Sequence, residues 1–142
     1  MNSIRPEREI LKRLSVLYVE DEEDARDQFT EFLRRIVGTL HVAVNGAEGL
    51  EAFVRYRPQI VITDIQMPGM DGLSMSEKIH EIDPNVPVIV ITAFEPMDYL
   101  VRAALIGIEK YVTKPVESEH LLKCLNECAE SVRIDNACSA TA

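Results

Sequence analysis

QIVITDIQMPGMDG, residues 59–72, decides how this chain is read. Its first half is an apolar, β-branched run of strand length (Ile60, Val61, Ile62, Thr63) that stops on a carboxylate, Asp64. Its second half, with Pro68, Gly69 and Gly72, has the turn chemistry of a loop rather than of a helix or a further strand. A strand that is apolar on both faces belongs in a parallel sheet covered on both sides. The same design recurs along the chain. SVLYV (15–19) precedes Glu20 and Asp21, VPVIVI (86–91) precedes Thr92, and EKYVT (109–113) precedes Lys114. If these strands are parallel neighbours, their C-terminal ends share one edge, and three carboxylates, a hydroxyl and an ammonium converge in one shallow cleft.

Helical patterns alternate with the strands, which predicts βαβ units and a single α/β domain. A first helix over about 22–35 carries the stripe Ala25, Phe29, Phe32, Leu33 and Ile36, with Gly38 to end it. HVAV (41–44) reads as an edge strand. Asn45 caps a second helix, with Glu48 as capping-box partner and Leu50, Phe53 and Val54 inward. A third helix is expected over Leu73 to Ile82. A fourth starts at Pro96, faces the core with Leu100, Val101, Ala104 and Leu105, and ends at Gly107. The last helix, about 117–133, turns Leu121, Leu122, Leu125 and Ala129 inward. Residues 1–13 read as a lead-in helix or linker, and residues 134–142 as a flexible tail. The Lys114–Pro115 bond is a candidate cis peptide.

Composition narrows the function. The chain has 142 residues, 46% hydrophobic and 27% charged, so it is long enough and apolar enough for one packed domain. Its formal net charge of −9 argues against direct binding of nucleic acid or anionic lipid and suits a cation or a basic partner. No apolar run is long enough to span a membrane, and the charged N-terminus MNSIRPEREILKRL is no secretory signal. Cys124, Cys128 and Cys138 are an odd, clustered set, so the expectation is a reducing cytoplasm rather than a disulfide framework. Cys124 and Cys128 with His120 form a poor metal set and read better as small residues on a helix.

In open α/β sheets, ligands bind beyond the carboxyl ends of the strands. Crowded carboxylates are stable as anions only with a cation between them, and an all-oxygen cluster open to water and phosphate suits Mg²⁺. Asp21 and Asp64 are therefore expected as direct ligands, and the longer Glu20 as a ligand through water. Alone, EDEED (20–24) would be a solvated loop or helix cap. The additional strand-end residues Asp64, Thr92 and Lys114 make the cleft the better reading. A carboxylate beside a metal and an ammonium is a competent nucleophile toward phosphorus. No Gly-rich nucleotide cradle is present, so the phosphate donor is expected to be another protein or a small phosphodonor.

VLYVEDEED, VITDIQMPGMDG, VIVITAF and GIEKYVTKPV together resemble the receiver domain of two-component response regulators, over about residues 14–133. The resemblance implies a doubly wound (βα)5, flavodoxin-like fold with a five-stranded parallel sheet in 2-1-3-4-5 order. It implies Asp64 as phosphoacceptor from a sensor histidine kinase or phosphotransfer domain. It further implies Mg²⁺ held by Asp21, Asp64 and the backbone carbonyl of Gln66, with Glu20 behind. Thr92 and Tyr111 correspond to the family's switch pair and Lys114 to its phosphate-contacting lysine. The fourth helix, fifth strand and last helix, around Tyr99, Ala103 and Tyr111, would form the output face and a surface for a homodimer. The chain is expected to be a stand-alone regulator, a phosphorelay intermediate, or a receiver cut from a longer regulator or hybrid kinase. The competing class is a Mg²⁺-dependent phosphatase or phosphotransferase of the dehalogenase-like type. It is disfavoured because the residue two beyond Asp64 is Gln66, not a second carboxylate. A degenerate, binding-only receiver is disfavoured because every reactive position is filled.

Two positions that border the attacking water's path in this family are Gln66 and Phe94 here. The bulk of Phe94 is expected to hinder that water. Phe94→Ala should shorten the phosphoryl lifetime, and an unchanged dephosphorylation rate would count against this role.

Overall fold

The computed structural model describes residues 10–93 and 97–141. Phe94 and Pro96, singled out in the sequence, lie outside the described residues, as does most of the lead-in segment. Among the described residues, five strands from Ser15 onward alternate with five helices: β1 Ser15–Val19, α1 Glu23–Ile36, β2 Thr39–Ala43, α2 Gly46–Tyr56, β3 Ile60–Asp64, α3 Gly72–Ile82, β4 Val88–Thr92, α4 Met97–Ile106, β5 Lys110–Thr113 and α5 Ser118–Thr141. The strands pair in parallel in the order β2-β1-β3-β4-β5, as expected.

Strand alternation sorts the core into two layers. Val16 and Tyr18, Ile60 and Ile62, Ile89 and Ile91, and Val112 pack under α1 and α5 with Leu33, Leu121 and Leu125. Leu17 and Val19, Val61, and Val88 and Val90 pack under α2, α3 and α4 with Phe53, Leu73, Met75, Ile79 and Ala103. Both faces of β3 and β4 are thus covered, and every residue of the two strands is buried. Leu11 and Leu14 join the first layer, so the end of the lead-in segment packs against the domain. Gly38 accommodates that packing, because a Cβ there would overlap the Lys12 carbonyl.

Several local expectations hold and others shift. Asn45 caps α2 by accepting from the Glu48 N–H at 2.8 Å, but Glu48 Oε1 reaches back to the N–H of Val44 rather than of Asn45. Gly107 closes α4 with a φ of 98°, and Lys114–Pro115 is cis. The second strand begins at Thr39, earlier than the HVAV segment. Helix α5 continues to Thr141 instead of stopping near Arg133, since no Gly or Pro interrupts the chain between Ser118 and Thr141.

Two helices are rolled relative to their sequence reading. In α2 the buried stripe is Gly46, Gly49 and Phe53, and Val54 is 52% exposed. The two glycines let this helix sit directly on Met70, Met75 and Val19, which fixes its roll. In α4 only Ala103 is fully buried, with Tyr99 and Ile106 packed beside it, while Leu100, Val101 and Leu105 face outward. Arg102, beside this inner stripe, bonds Asp71 Oδ2 at 3.2 Å and Ser74 Oγ at 2.6 Å on α3. Leu105→Gln should therefore change stability by no more than about 0.5 kcal/mol. Leu125→Ala should cost about 2–5 kcal/mol in chemical denaturation.

Candidate functional site

The sheet delivers the polar strand ends to one edge. Asp64 closes β3, Thr92 closes β4 beside Thr113, and the Lys114 N–H bonds the Thr92 carbonyl at 2.7 Å. Glu20 leaves β1 with its N–H on the Ala43 carbonyl. Glu20, Asp64 and Thr92 are buried, and Asp21 is exposed. The carboxylate oxygens of Glu20, Asp21 and Asp64 lie within 4.8 Å of one another. Lys114 Nζ sits 2.9 Å from Asp64 Oδ2, and the other Asp64 oxygen accepts the Ile65 N–H at 2.9 Å. The acid cluster and its lysine therefore come together as the sequence predicted.

The loop after Asp64 is held tightly. The Gly72 N–H bonds the Ile65 carbonyl at 2.8 Å, and a Cβ on Gly72 would overlap the Asp64 carbonyl oxygen. Asp71 then caps α3 through the Ser74 N–H at 2.7 Å. Gln66 is exposed in this loop, along a depression it shares with Met67, Pro68, Gly69, Asp71 and Tyr99. Tyr111 stands apart from the acids. Its hydroxyl donates to the Ile108 carbonyl at 2.9 Å, and its ring packs in the α2–α3–α4 layer. By alternation along β4, Thr92 falls on that same side of the sheet as Val88 and Val90, whereas Asp64 follows Ile60 and Ile62 toward α1 and α5.

Two contributions escaped the sequence reading. Arg26 reaches back from α1 to the carbonyls of Glu20, at 3.0 Å, and Asp21, at 3.3 Å, so it fixes the backbone that presents both acids. Asp71 and Arg102 link the loop beyond Asp64 to α4. Asp71 had a usable signal, an acid directly before a helical apolar pattern. Arg26 and Arg102 had none, because their partners belong to other elements.

The electrostatics fit a divalent cation. The donors are oxygens only, which suits a hard ion such as Mg²⁺, and one ammonium stands among three carboxylates. Burial pushes the Glu20 carboxyl from its ordinary 4.5 up to about 7; the Glu22 N–H bond opposes this, and the Asp64 charge adds to it. The folded protein therefore keeps that proton over an interval in which the unfolded chain has lost it. The resulting stability is complete below about pH 4.5 and is lost as pH rises through about 7. In EDTA, the thermal midpoint should fall between about pH 5 and pH 8. Glu20→Gln should flatten that fall, and an identical slope in the variant would contradict the assignment.

Comparison with known proteins agrees with this geometry. The sequence profile of the response regulator receiver domain matches residues 16–126. An uncharacterized transcriptional regulatory protein, YesN of Bacillus subtilis, is 39% identical over 85 residues, covering 60% of this chain and 23% of its own. The Regulator of RpoS of Escherichia coli is 33% identical over 108 residues, covering 76% and 32%. The chain thus spans less than a third of the length of these curated relatives. A response regulator receiver domain protein of Clostridium thermocellum superposes with a TM-score of 0.80 at 25% identity, over 85% of this chain and 98% of its own. With the profile running from β1 into α5 and the acid cleft at the strand ends, this chain belongs to the response regulator receiver domain family.

Proposed function

We propose that Asp64 is the phosphoacceptor of this receiver, taking its phosphoryl group from the phosphohistidine of a sensor histidine kinase or phosphotransfer domain. The observation that carries this is Asp64 itself, a nearly buried carboxylate bonded by Lys114 at 2.9 Å inside a cluster of two further acids. In the transfer, an Asp64 oxygen forms the new bond to phosphorus as the histidine nitrogen–phosphorus bond breaks, and the electron pair leaves with the imidazole. Asp21, Asp64 and the Gln66 carbonyl would hold Mg²⁺, with Glu20 acting through a water. When bound, that ion supplies positive charge against the carboxylates and the transferring group. The Lys114 ammonium exchanges its bond to Asp64 for one to a phosphoryl oxygen, which keeps the added charge paired.

The output proposal rests on where Thr92 and Tyr111 lie. Both are on the α4 side of the sheet, so a Thr92 hydroxyl drawn toward the phosphoryl group opens space into which the half-buried Tyr111 ring moves. The surface of α4, β5 and α5 around Tyr99, Ala103 and Tyr111 then changes shape and presents a face for a partner or for a second copy. The setting is cytoplasmic, in keeping with unpaired Cys124 and Cys128 and with the lack, among the described residues, of a helix long and apolar enough to cross a membrane. The dehalogenase-like alternative has no support in the family match, and Gln66 offers no second carboxylate.

Incubation with acetyl phosphate and Mg²⁺ should give a Phos-tag-retarded species that Asp64→Asn abolishes. Beryllofluoride should bind the wild type alone. Retention of the adduct in Asp64→Asn would overturn the assignment.

A further inference from the structure

Tyr18 carries a hydroxyl that neither the core nor the transfer chemistry described above uses. It is the last residue but one of β1, only 1% exposed, and among the described residues its hydroxyl has no hydrogen-bond partner. A buried hydroxyl left unpaired is destabilising, and phenylalanine would fill the same space without that cost. The position of the ring points to what the hydroxyl is for. Tyr18 pairs with Ile62, two residues before Asp64, and precedes by two Glu20, the residue just past the end of β1, so alternation carries Tyr18, Glu20 and Asp64 toward one side. The charges its phenol feels are Glu20 first, then Asp64, Arg26 and Glu22, all of them at the acid edge. Thr30 and Asn126, on α1 and α5, also hold buried oxygens without hydrogen-bond partners, but neither lies on a strand that ends at the acids.

We propose that Tyr18 is a positioning residue for the cation site: its hydroxyl donates to the Glu20 carboxylate through one shared water and holds that carboxylate turned toward the ion. The inference rests on the reading of Glu20, Asp21 and Asp64 as the Mg²⁺ site. It accounts for why a tyrosine stands under the acids. An ionised Glu20 gains from a donor on its buried side, because its one printed hydrogen bond is the Glu22 backbone N–H at 3.2 Å, and of the charges near it only Lys114 is positive, against Asp64 and Asp21.

The test is Mg²⁺ titration of the metal-free protein by calorimetry, for the wild type, Tyr18→Phe, Glu20→Gln, the double variant and Asp21→Asn. A hydrogen bond to a charged group corresponds to about a tenfold effect or more. Tyr18→Phe should therefore weaken Mg²⁺ binding roughly tenfold, while the thermal midpoint without metal stays unchanged or rises. In the Glu20→Gln background the same substitution should have no further effect. Wild-type affinity in Tyr18→Phe, an undiminished effect in the double variant, or a lowered metal-free midpoint would each overturn the role. If Asp21→Asn leaves Mg²⁺ binding intact, the cation site itself is misassigned; if Asp21→Asn weakens binding and Tyr18→Phe does not, only the role of Tyr18 fails.

Discussion

A parallel sheet covered on both faces leaves polar side chains little place except its ends, and the rest of this protein follows from that constraint. Strands β3 and β4 are buried throughout, so any carboxylate or hydroxyl along them would meet apolar neighbours from α1 and α5 on one side or α2, α3 and α4 on the other. Thr63 is tolerated inside because its hydroxyl bonds the Asp64 carbonyl at 2.8 Å. The charged groups are displaced to the carboxyl edge, where Asp64, Glu20 and Lys114 are forced close together. Burying an unpaired charge is far more costly than burying apolar surface is favourable, so the pairing of Lys114 with Asp64 and the raised proton affinity of Glu20 are two responses to one crowding.

The same crowding gives the backbone its precision. Arg26, the Asp71 cap and the absence of a side chain at Gly72 all act on main chain adjoining the acids. None of them touches the carboxylates' chemistry, yet each limits where a carboxylate can stand. A cleft on strand ends is well suited to this, since strands supply the coarse position and the following loops the fine one.

Much of this was legible in the sequence, for physical reasons that can be named. Strand runs that are apolar on both faces announce their own burial, so SVLYV, QIVIT and VPVIVI located the edge, and the polar residue after each located the site. Helices reveal less. Leu100, Val101 and Leu105 make an apolar stripe at helical spacing, but α4 has a second stripe in Tyr99, Ala103 and Ile106, and the inner side is the one beside Arg102, which reaches Asp71 and Ser74 across 28–31 residues of chain. Val54 faces outward although it is apolar, because two glycines rather than the largest side chains mark the inner face of α2. The end of α5 was set too early because small polar residues resemble a tail, although nothing in them breaks a helix.

The outward roll of α4 also bears on colloidal behaviour. Met97, Val101 and Leu105, between 51% and 83% exposed, give the domain a greasy ridge that in a neutral protein would invite self-adhesion. Here the ridge is carried by a chain of net charge −9, and long-range repulsion between copies opposes the short-range attraction. The two forces have different reach. At physiological ionic strength the repulsion is screened beyond about 8 Å, whereas apolar contact is not weakened by salt. Rising ionic strength therefore weakens the repulsion and leaves the apolar attraction in place.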